Sequence, residues 1–185
     1  MGRILQLFSP DENADRVVDI DLGALASSGF EALMLDLDNT LLPWQSSQVP
    51  PDVRGWIERA KGMGMKLVIL SNTHNPRRLA RIASDLGIPS VHGALKPRKA
   101  GFARASALIG SPSEHTVVVG DQVLTDILGG NLAGMRTILV KPMSAREFIG
   151  TKVSRLIERC IFALLRRAEA GTKSKPGQSQ TRDTR

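Results

Sequence analysis

Apolar residues fall along this chain in short continuous runs separated by stretches of helical spacing. Ala32-Leu33-Met34-Leu35, bounded by polar residues, reads as a buried parallel strand at about 31–36. Met65-Lys66-Leu67-Val68-Ile69-Leu70 predicts a second strand and Ser90-Val91-His92 a short third. His115-Thr116-Val117-Val118-Val119 predicts a fourth, and Arg136 to Val140 a fifth. Val53, Trp56, Ile57 and Ala60 recur at helical spacing, so a helix is expected over about 51–62, with Pro51 in its first turn and Gly62 and Gly64 at its end. Further helices are expected over about 76–86 (opened by Pro76, closed by Gly87), 97–109 and 122–132. Gly129-Gly130 within the last should cost about 1 kcal/mol per residue against Ala, which predicts close packing or a helix break. Upstream, Asp19-Ile20-Asp21-Leu22 predicts a short helix ending near Ser28-Gly29. Strands alternating with helices imply an α/β fold with a parallel sheet and right-handed crossovers.

The chemistry-bearing residues collect where the predicted strands stop. Asp36 and Asp38 follow the first strand, two residues apart, so both carboxylates can be aimed at one small volume. Such a pair repels unless a cation or a shared proton relieves it, so this spot is a metal site, a catalytic pair, or both. Ser71-Asn72 follows the second strand, Lys96-Pro97 opens the helix after the third, and Gly120-Asp121 ends the fourth with Asp126 about one helical turn on. Taken singly, Ser71-Asn72 is an ordinary turn, Lys96 a loop lysine and Asp126 a first-turn acid favoured by the helix dipole. The conjunction and order of the four groups carry the signal. The three histidines show no metal-ligand spacing; His74 is near enough to Ser71 to touch a substrate, or is a solvated loop histidine.

Asp36-Leu37-Asp38-Asn39-Thr40, Ser71-Asn72, Lys96-Pro97 and Gly120-Asp121-Gln122-Val123-Leu124-Thr125-Asp126 resemble the four motifs of the haloacid dehalogenase (HAD) superfamily of phosphotransferases. The resemblance implies a Rossmann-like three-layer sandwich with a five-stranded parallel sheet in the order 3-2-1-4-5. It makes Asp36 the nucleophile that forms an aspartyl-phosphate and Asp38 the acid and base that serves the leaving group and then water. The second acid marks a phosphatase, because members that transfer carbon lack it. Ser71, Asn72 and Lys96 would bind the phosphate, with Lys96 offsetting its growing charge. Asp36, Asp121 and the backbone carbonyl of Asp38 would hold Mg²⁺. Thr40 and Asp126 would support the site, Asp126 by orienting Lys96 or by reaching the metal through water. Farther along, Ile127-Leu128-Gly129-Gly130-Asn131, Gly134, Ile138-Leu139-Val140, Thr151-Lys152-Val153 and Glu158-Arg159 resemble the YqeG-type branch of subfamily IIIA, as does Val18-Asp19-Ile20. Thr73 departs from that pattern, which places a second Asn there. The branch is similar to the phosphatidylglycerophosphate phosphatases of fungal mitochondria and plastids. It therefore implies that substrate, with a soluble nucleotide or sugar phosphate as the alternative and a non-catalytic binding module on the same scaffold as the third.

The intervals between motifs are filled by the predicted elements, so no cap domain is expected and the site should lie open. Length and composition fit one domain over 1–170. The single Cys160 excludes an intrachain disulfide and suits a reducing compartment. No run reaches the roughly 18 apolar residues of a membrane span, the start lacks a signal-peptide core, and Gln6 argues against myristoylation after Gly2. The expected location is the cytoplasm, free or peripheral on the inner face of the membrane. Charge adds an asymmetry. Residues 1–140 carry 14 basic and 14 acidic side chains, whereas 141–185 carry 11 and 4, so the whole net charge of +7 lies in the last quarter. A helix expected over about 144–168 has an apolar stripe (Ile149, Val153, Leu156, Ile157, Cys160, Ile161, Leu164, Leu165) with most of its arginines off it. It covers one face of the sheet next to the fifth strand, lies on an anionic bilayer, or does both with different halves. The tail 171–185, without one apolar side chain, reads as disordered. Aromatic residues are 4% and Tyr is absent, which disfavours nucleic acid as partner.

Overall fold

Two hydrophobic layers form because successive residues of each strand point to opposite faces of the sheet. The computed structural model describes residues 2–144; the helix expected over about 144–168 and the tail 171–185 lie outside the described residues. In chain order the elements are α1 (Gly2–Gln6), β1 (Glu12–Ala14), α2 (Leu22–Ser27), β2 (Ala32–Leu35), α3 (Pro51–Gly62), β3 (Lys66–Leu70), α4 (Pro76–Leu86), β4 (Ser90–Val91), α5 (Lys99–Ile109), β5 (Thr116–Gly120), α6 (Leu128–Ala133) and β6 (Arg136–Val140). Leu33, Leu35, Leu67, Ile69, Val117 and Val119 pack with Leu25, Trp56, Ile57, Leu79 and Ile82 on one side. Met34, Val68, Leu70 and Val118 pack with Phe102 and Ala105 on the other. The period of two thus divides α2, α3 and α4 from α5 across the sheet.

All strand pairs are parallel and the order is β1-β6-β5-β2-β3-β4. From β4 to β6 this is the expected arrangement, with β2 central. The expected count of five strands is corrected to six: β1 adds to the edge beyond β6, pairing Glu12 with Ile138 and Ala14 with Val140. Glu12-Asn13-Ala14 has neither length nor apolar alternation to announce a strand. Polar contacts hold it instead. The Thr137 N–H donates to Asp11 Oδ2 at 2.8 Å, Asp11 N–H donates to the Thr137 carbonyl at 3.0 Å, and Arg136 pairs with Glu12 at 3.0 Å.

The helix expected over 122–132 is also corrected. Val123–Ile127 winds as one π-helical turn and only Leu128–Ala133 is α-helical. Close packing accounts for the glycine pair there. A Cβ on Gly129 would stand 2.5 Å from the Phe102 ring, and one on Gly130 2.6 Å from the Thr137 methyl. At the front of the chain Asp21 caps α2 as expected, accepting from the Ala24 N–H at 3.0 Å.

Candidate active site

β2 lies between β3 and β5 in matching register, Leu35 beside Ile69 and Val119, so the residues just past all three strands meet at one level. Asp36 continues β2 by one more bond, its N–H donating to the Val119 carbonyl at 2.9 Å, and its side chain is nearly buried. Lys96 reaches this point from the loop after β4. Its Nζ donates to Asp36 Oδ1 and to Asp126 Oδ1, both at 2.6 Å, and the residue is 5% exposed. Asp126 is fully buried, and its Oδ2 accepts from the Gln122 N–H at 3.1 Å. The π-helical turn makes that reach possible by feeding Asp126 back under the end of β5, a common location for such turns.

Oxygens of Asp36, Asp121 and Asp126 all lie within 4.8 Å of one another. Three carboxylates face a single ammonium, which leaves two uncompensated negative charges if all ionise. Burial, reinforced by Asp126 and only partly countered by Lys96, pushes the Asp36 carboxyl up to about 6. Burial, with Asp36 and Asp126 adding to it, pushes Asp121 up to about 8. Lys96 is shifted the other way: burial works against its charge, but Asp126 and Asp36 outweigh burial and hold it protonated. Asp121 Oδ1 is buried without a hydrogen-bond partner among the described residues, and so is Thr40 Oγ1. An orphaned carboxylate oxygen beside two others is the donor set of a hard divalent cation, and the residues fit one.

Asp38 follows β2, and Ser71 and Asn72 follow β3. Ser71, 2% exposed, directly follows β3 and its Oγ accepts from the Thr73 N–H at 3.1 Å. Asn72 spans the backbone of Lys96, donating to its carbonyl at 3.2 Å and accepting from its N–H at 2.9 Å. Its amide thus braces the lysine. Asp38 is 9% exposed, and its carboxylate stands apart from the acidic cluster. Oδ1 accepts from the Gln45 N–H at 3.0 Å and from Arg78 at 2.8 Å, and Oδ2 accepts from Arg78 at 3.0 Å. His74 is exposed. Arg78 itself was not among the predicted residues. It occupies the first turn of α4 and also donates to the Ser46 carbonyl at 2.8 Å, tying that helix to the loop behind Asp38. A cation in a helix's first turn opposes the dipole, and this was the only sign of it in the sequence. Ala14 and Asp15, at the end of the unforeseen β1, help line a cavity of about 230 Å³ beside Asp121.

A family model described as HAD-hydrolase-like matches residues 94–145. The chain is 38% identical over 162 residues to the "Probable phosphatase YqeG" of Bacillus subtilis (strain 168), across 88% of this chain and 94% of that protein. The chain belongs to the YqeG-type branch of the HAD phosphatases. It is also 34% identical to "Phosphatidylglycerophosphate phosphatase 1, chloroplastic" of Chlamydomonas reinhardtii, across 82% of this chain and 60% of the algal protein. The crystal structure of an uncharacterized protein from Listeria monocytogenes serotype 4b superposes with a TM-score of 0.52 at 19% identity, over 66% of this chain and 88% of that one, a likeness of fold alone. As a HAD-type phosphatase the chain carries Asp36 just past β2, a strand with a neighbour on either side. No helix among the described residues is long and apolar enough to cross a membrane.

Proposed function

We propose that this phosphatase is Mg²⁺-dependent, works through an aspartyl-phosphate on Asp36, and hydrolyses phosphatidylglycerophosphate to phosphatidylglycerol and inorganic phosphate. The observation that carries the chemistry is the buried Asp36 carboxylate, bonded to Lys96 at one edge of a three-carboxylate cluster, with a second acid two residues on. The Asp36 oxygen not bonded to Lys96 attacks phosphorus as the bond to the leaving oxygen breaks, and Asp38 gives that oxygen a proton. Water then attacks the phosphorus of the acyl phosphate, Asp38 takes its proton, and phosphate departs with Asp36 restored. Asp38 can stay anchored through Oδ1, held by Gln45 and Arg78, while Oδ2 releases Arg78 and handles the proton. Lys96 offsets charge on the transferring group, and Ser71 and neighbouring N–H groups hold its oxygens. Asp36, Asp121 and the Asp38 carbonyl would hold Mg²⁺, which when bound supplies the charge that draws nucleophile and phosphate together. Asp126 serves by fixing Lys96.

Two observations support the lipid substrate. One is the 34% identity to the algal phosphatidylglycerophosphate phosphatase. The other is that the described chain fills each interval between motifs with one helix, one strand and short loops: α3 and β3, α4 and β4, α5 and β5. These intervals hold no further strand or α-helix, which supports a phosphate carried on something too large to enclose. Phosphate release should be measured from a panel holding phosphatidylglycerophosphate beside nucleotide and sugar phosphates, for wild type and Asp36→Asn. The lipid should be the preferred substrate and the variant inactive. Equal turnover by both proteins removes the nucleophile assignment, and preference for a soluble ester removes the lipid.

A further inference from the structure

The loop after β2 that carries Asp38 is fastened at both ends by a single hydroxyl. Ser144, just beyond β6, donates from Oγ to Asn39 Oδ1 at 2.6 Å, and the same Oγ accepts from the Trp44 N–H at 3.2 Å. Its neighbour Met143 adds a third bond, its N–H donating to the Asn39 carbonyl at 3.1 Å. Asn39 and Trp44 lie 105 and 100 residues from Ser144 in sequence, so only the fold brings them to one side chain. A hydroxyl suits this place because one atom both donates to Asn39 and accepts from Trp44.

Both fastened residues act on Asp38. Asn39 follows it directly in the chain, is 4% exposed, and holds φ at 65°, a left-handed value that Asn adopts more readily than most side chains. Its N–H donates to the Leu42 carbonyl at 2.8 Å, while its carbonyl and its side-chain oxygen are taken by Met143 and Ser144. These bonds keep Asn39 in that conformation and so set the direction in which the chain presents Asp38. Trp44 precedes Gln45, whose N–H donates to Asp38 Oδ1 at 3.0 Å. Successive peptide N–H groups of the loop are thus committed, one to Ser144 and the next to Asp38. Arg78 holds the same carboxylate from α4, so Asp38 is braced from two distant parts of the chain. Without the Ser144 hydroxyl, the buried Asn39 amide oxygen loses the donor it has, and the loop gains a reason to shift.

We infer that Ser144 is a positioning residue for the reaction: it clasps the Asn39–Trp44 loop so that the Asp38 carboxyl is aimed at the leaving oxygen. The inference rests on the reading of Asp38 as the acid that gives this oxygen its proton while the P–O bond breaks. It does not depend on which alcohol leaves. Ser144 stands outside all four motifs and acts through Asn39 and Gln45.

Two phosphomonoesters separate aim from stability. One is whichever alkyl phosphate of the panel above the full chain turns over fastest; it leaves as a strongly basic alkoxide and needs the proton of Asp38. The other is p-nitrophenyl phosphate, which leaves as a stabilised phenolate and does not need it. For each, kcat/KM covers the steps through cleavage of the P–O bond. Ser144→Ala should lower kcat/KM for the alkyl ester about thirtyfold, less than the roughly 100-fold of a 1 Å displacement because Arg78 still holds Asp38. For p-nitrophenyl phosphate the fall should stay within about threefold, because proton donation contributes little there. Ser144→Thr, which keeps the hydroxyl, should restore most of the alkyl rate. Loss of folded protein lowers both esters alike and cancels in their ratio. An equal fall for both esters therefore overturns the proposal, as does undiminished turnover of both by Ser144→Ala, or a Ser144→Thr no better than Ser144→Ala. Asp38→Asn is measured beside them. If it lowers both esters equally, the acid assignment fails and the clasp with it; if it loses the alkyl ester selectively while Ser144→Ala does not, the clasp alone fails.

Discussion

Gly120, the last residue of β5, has a hydrogen where Asp126 needs room. A Cβ at this position would lie 2.3 Å from both Cγ and Oδ2 of Asp126 and 2.5 Å from its Cβ, against 3.4–4 Å for ordinary contact. In Gly120→Ala, Asp126 therefore has to retreat by about 1 Å or more. Its 2.6 Å bond to Lys96 then stretches beyond hydrogen-bonding range. Lys96 keeps Asp36, so the cost should fall at the lower end of the 3–5 kcal/mol for breaking a buried pair, about 3 kcal/mol. For a chain of this size that amounts to a fall in Tm of about 6–12 °C. Loss of the lysine's anchor should also lower kcat about 100-fold, the usual consequence of a 1 Å displacement of a catalytic group. Thermal unfolding by circular dichroism and steady-state phosphate release measure the two effects. A variant with Tm within 2 °C of wild type and kcat within about twofold would refute the argument that Gly120 exists to admit Asp126.

The proposed cation site predicts that saturating Mg²⁺, at about 100 times its Kd, stabilises wild type by about 2.7 kcal/mol, or roughly 5–11 °C in Tm. Asp121→Asn should lose most of that shift, and an equal shift in both proteins would remove Asp121 from the ligands. Arg78→Gln frees one end of Asp38 from its anchor, so kcat should fall about 100-fold with KM changed only a fewfold. A change in Tm alone would make Arg78 purely structural. Gly55 lies inside α3, and the nearest atom to an added Cβ is Arg59 at 3.9 Å, so Gly55→Ala should raise stability by about 0.5–1 kcal/mol in urea unfolding.

Legibility followed the physics of each element. β2, β3, β5 and β6 were visible because strands buried on both faces must be continuously apolar. α3 and α4 were visible because helices covering a sheet repeat at 3.6 residues, and prolines and glycines marked their ends. β1 was not visible: three residues held by Asp11, Arg136 and Thr137 leave no hydrophobic signature. Three successive apolar residues in β6, Ile138 to Val140, were a hint that this strand was not the sheet edge. At the site, the order of Asp36, Ser71, Lys96 and Asp121 was legible because each follows a strand. Arg78 was not, because spacing assigns it to a helix face but cannot show that a loop forty residues upstream folds back to meet it. Asn72 was legible only in part. Its place beside Ser71 gave no sign that its amide meets the Lys96 backbone, a partner that only the tertiary fold brings near.

The same geometry makes the unloaded site a liability, and this bears on why its surroundings are built so tightly. Asp36, Asp121 and Asp126 are drawn from two strand ends and a π-helical turn into a volume less than 5 Å across, with one ammonium among them. The carboxyls at about 6 and about 8 mark that strain, since each is raised first by burial and then by its neighbours. A loose scaffold would relax by swinging one carboxylate out to water. Gly120 and Gly129 prevent that, because they let the turn carrying Asp126 and the helix behind it press directly on β5 and Phe102, leaving Asp126 fully buried. Asn72 does the same for Lys96 from the opposite side. Packing therefore holds the charges at a separation their repulsion opposes, and a divalent cation binding beside Asp36 and Asp121, as proposed, would relieve that repulsion.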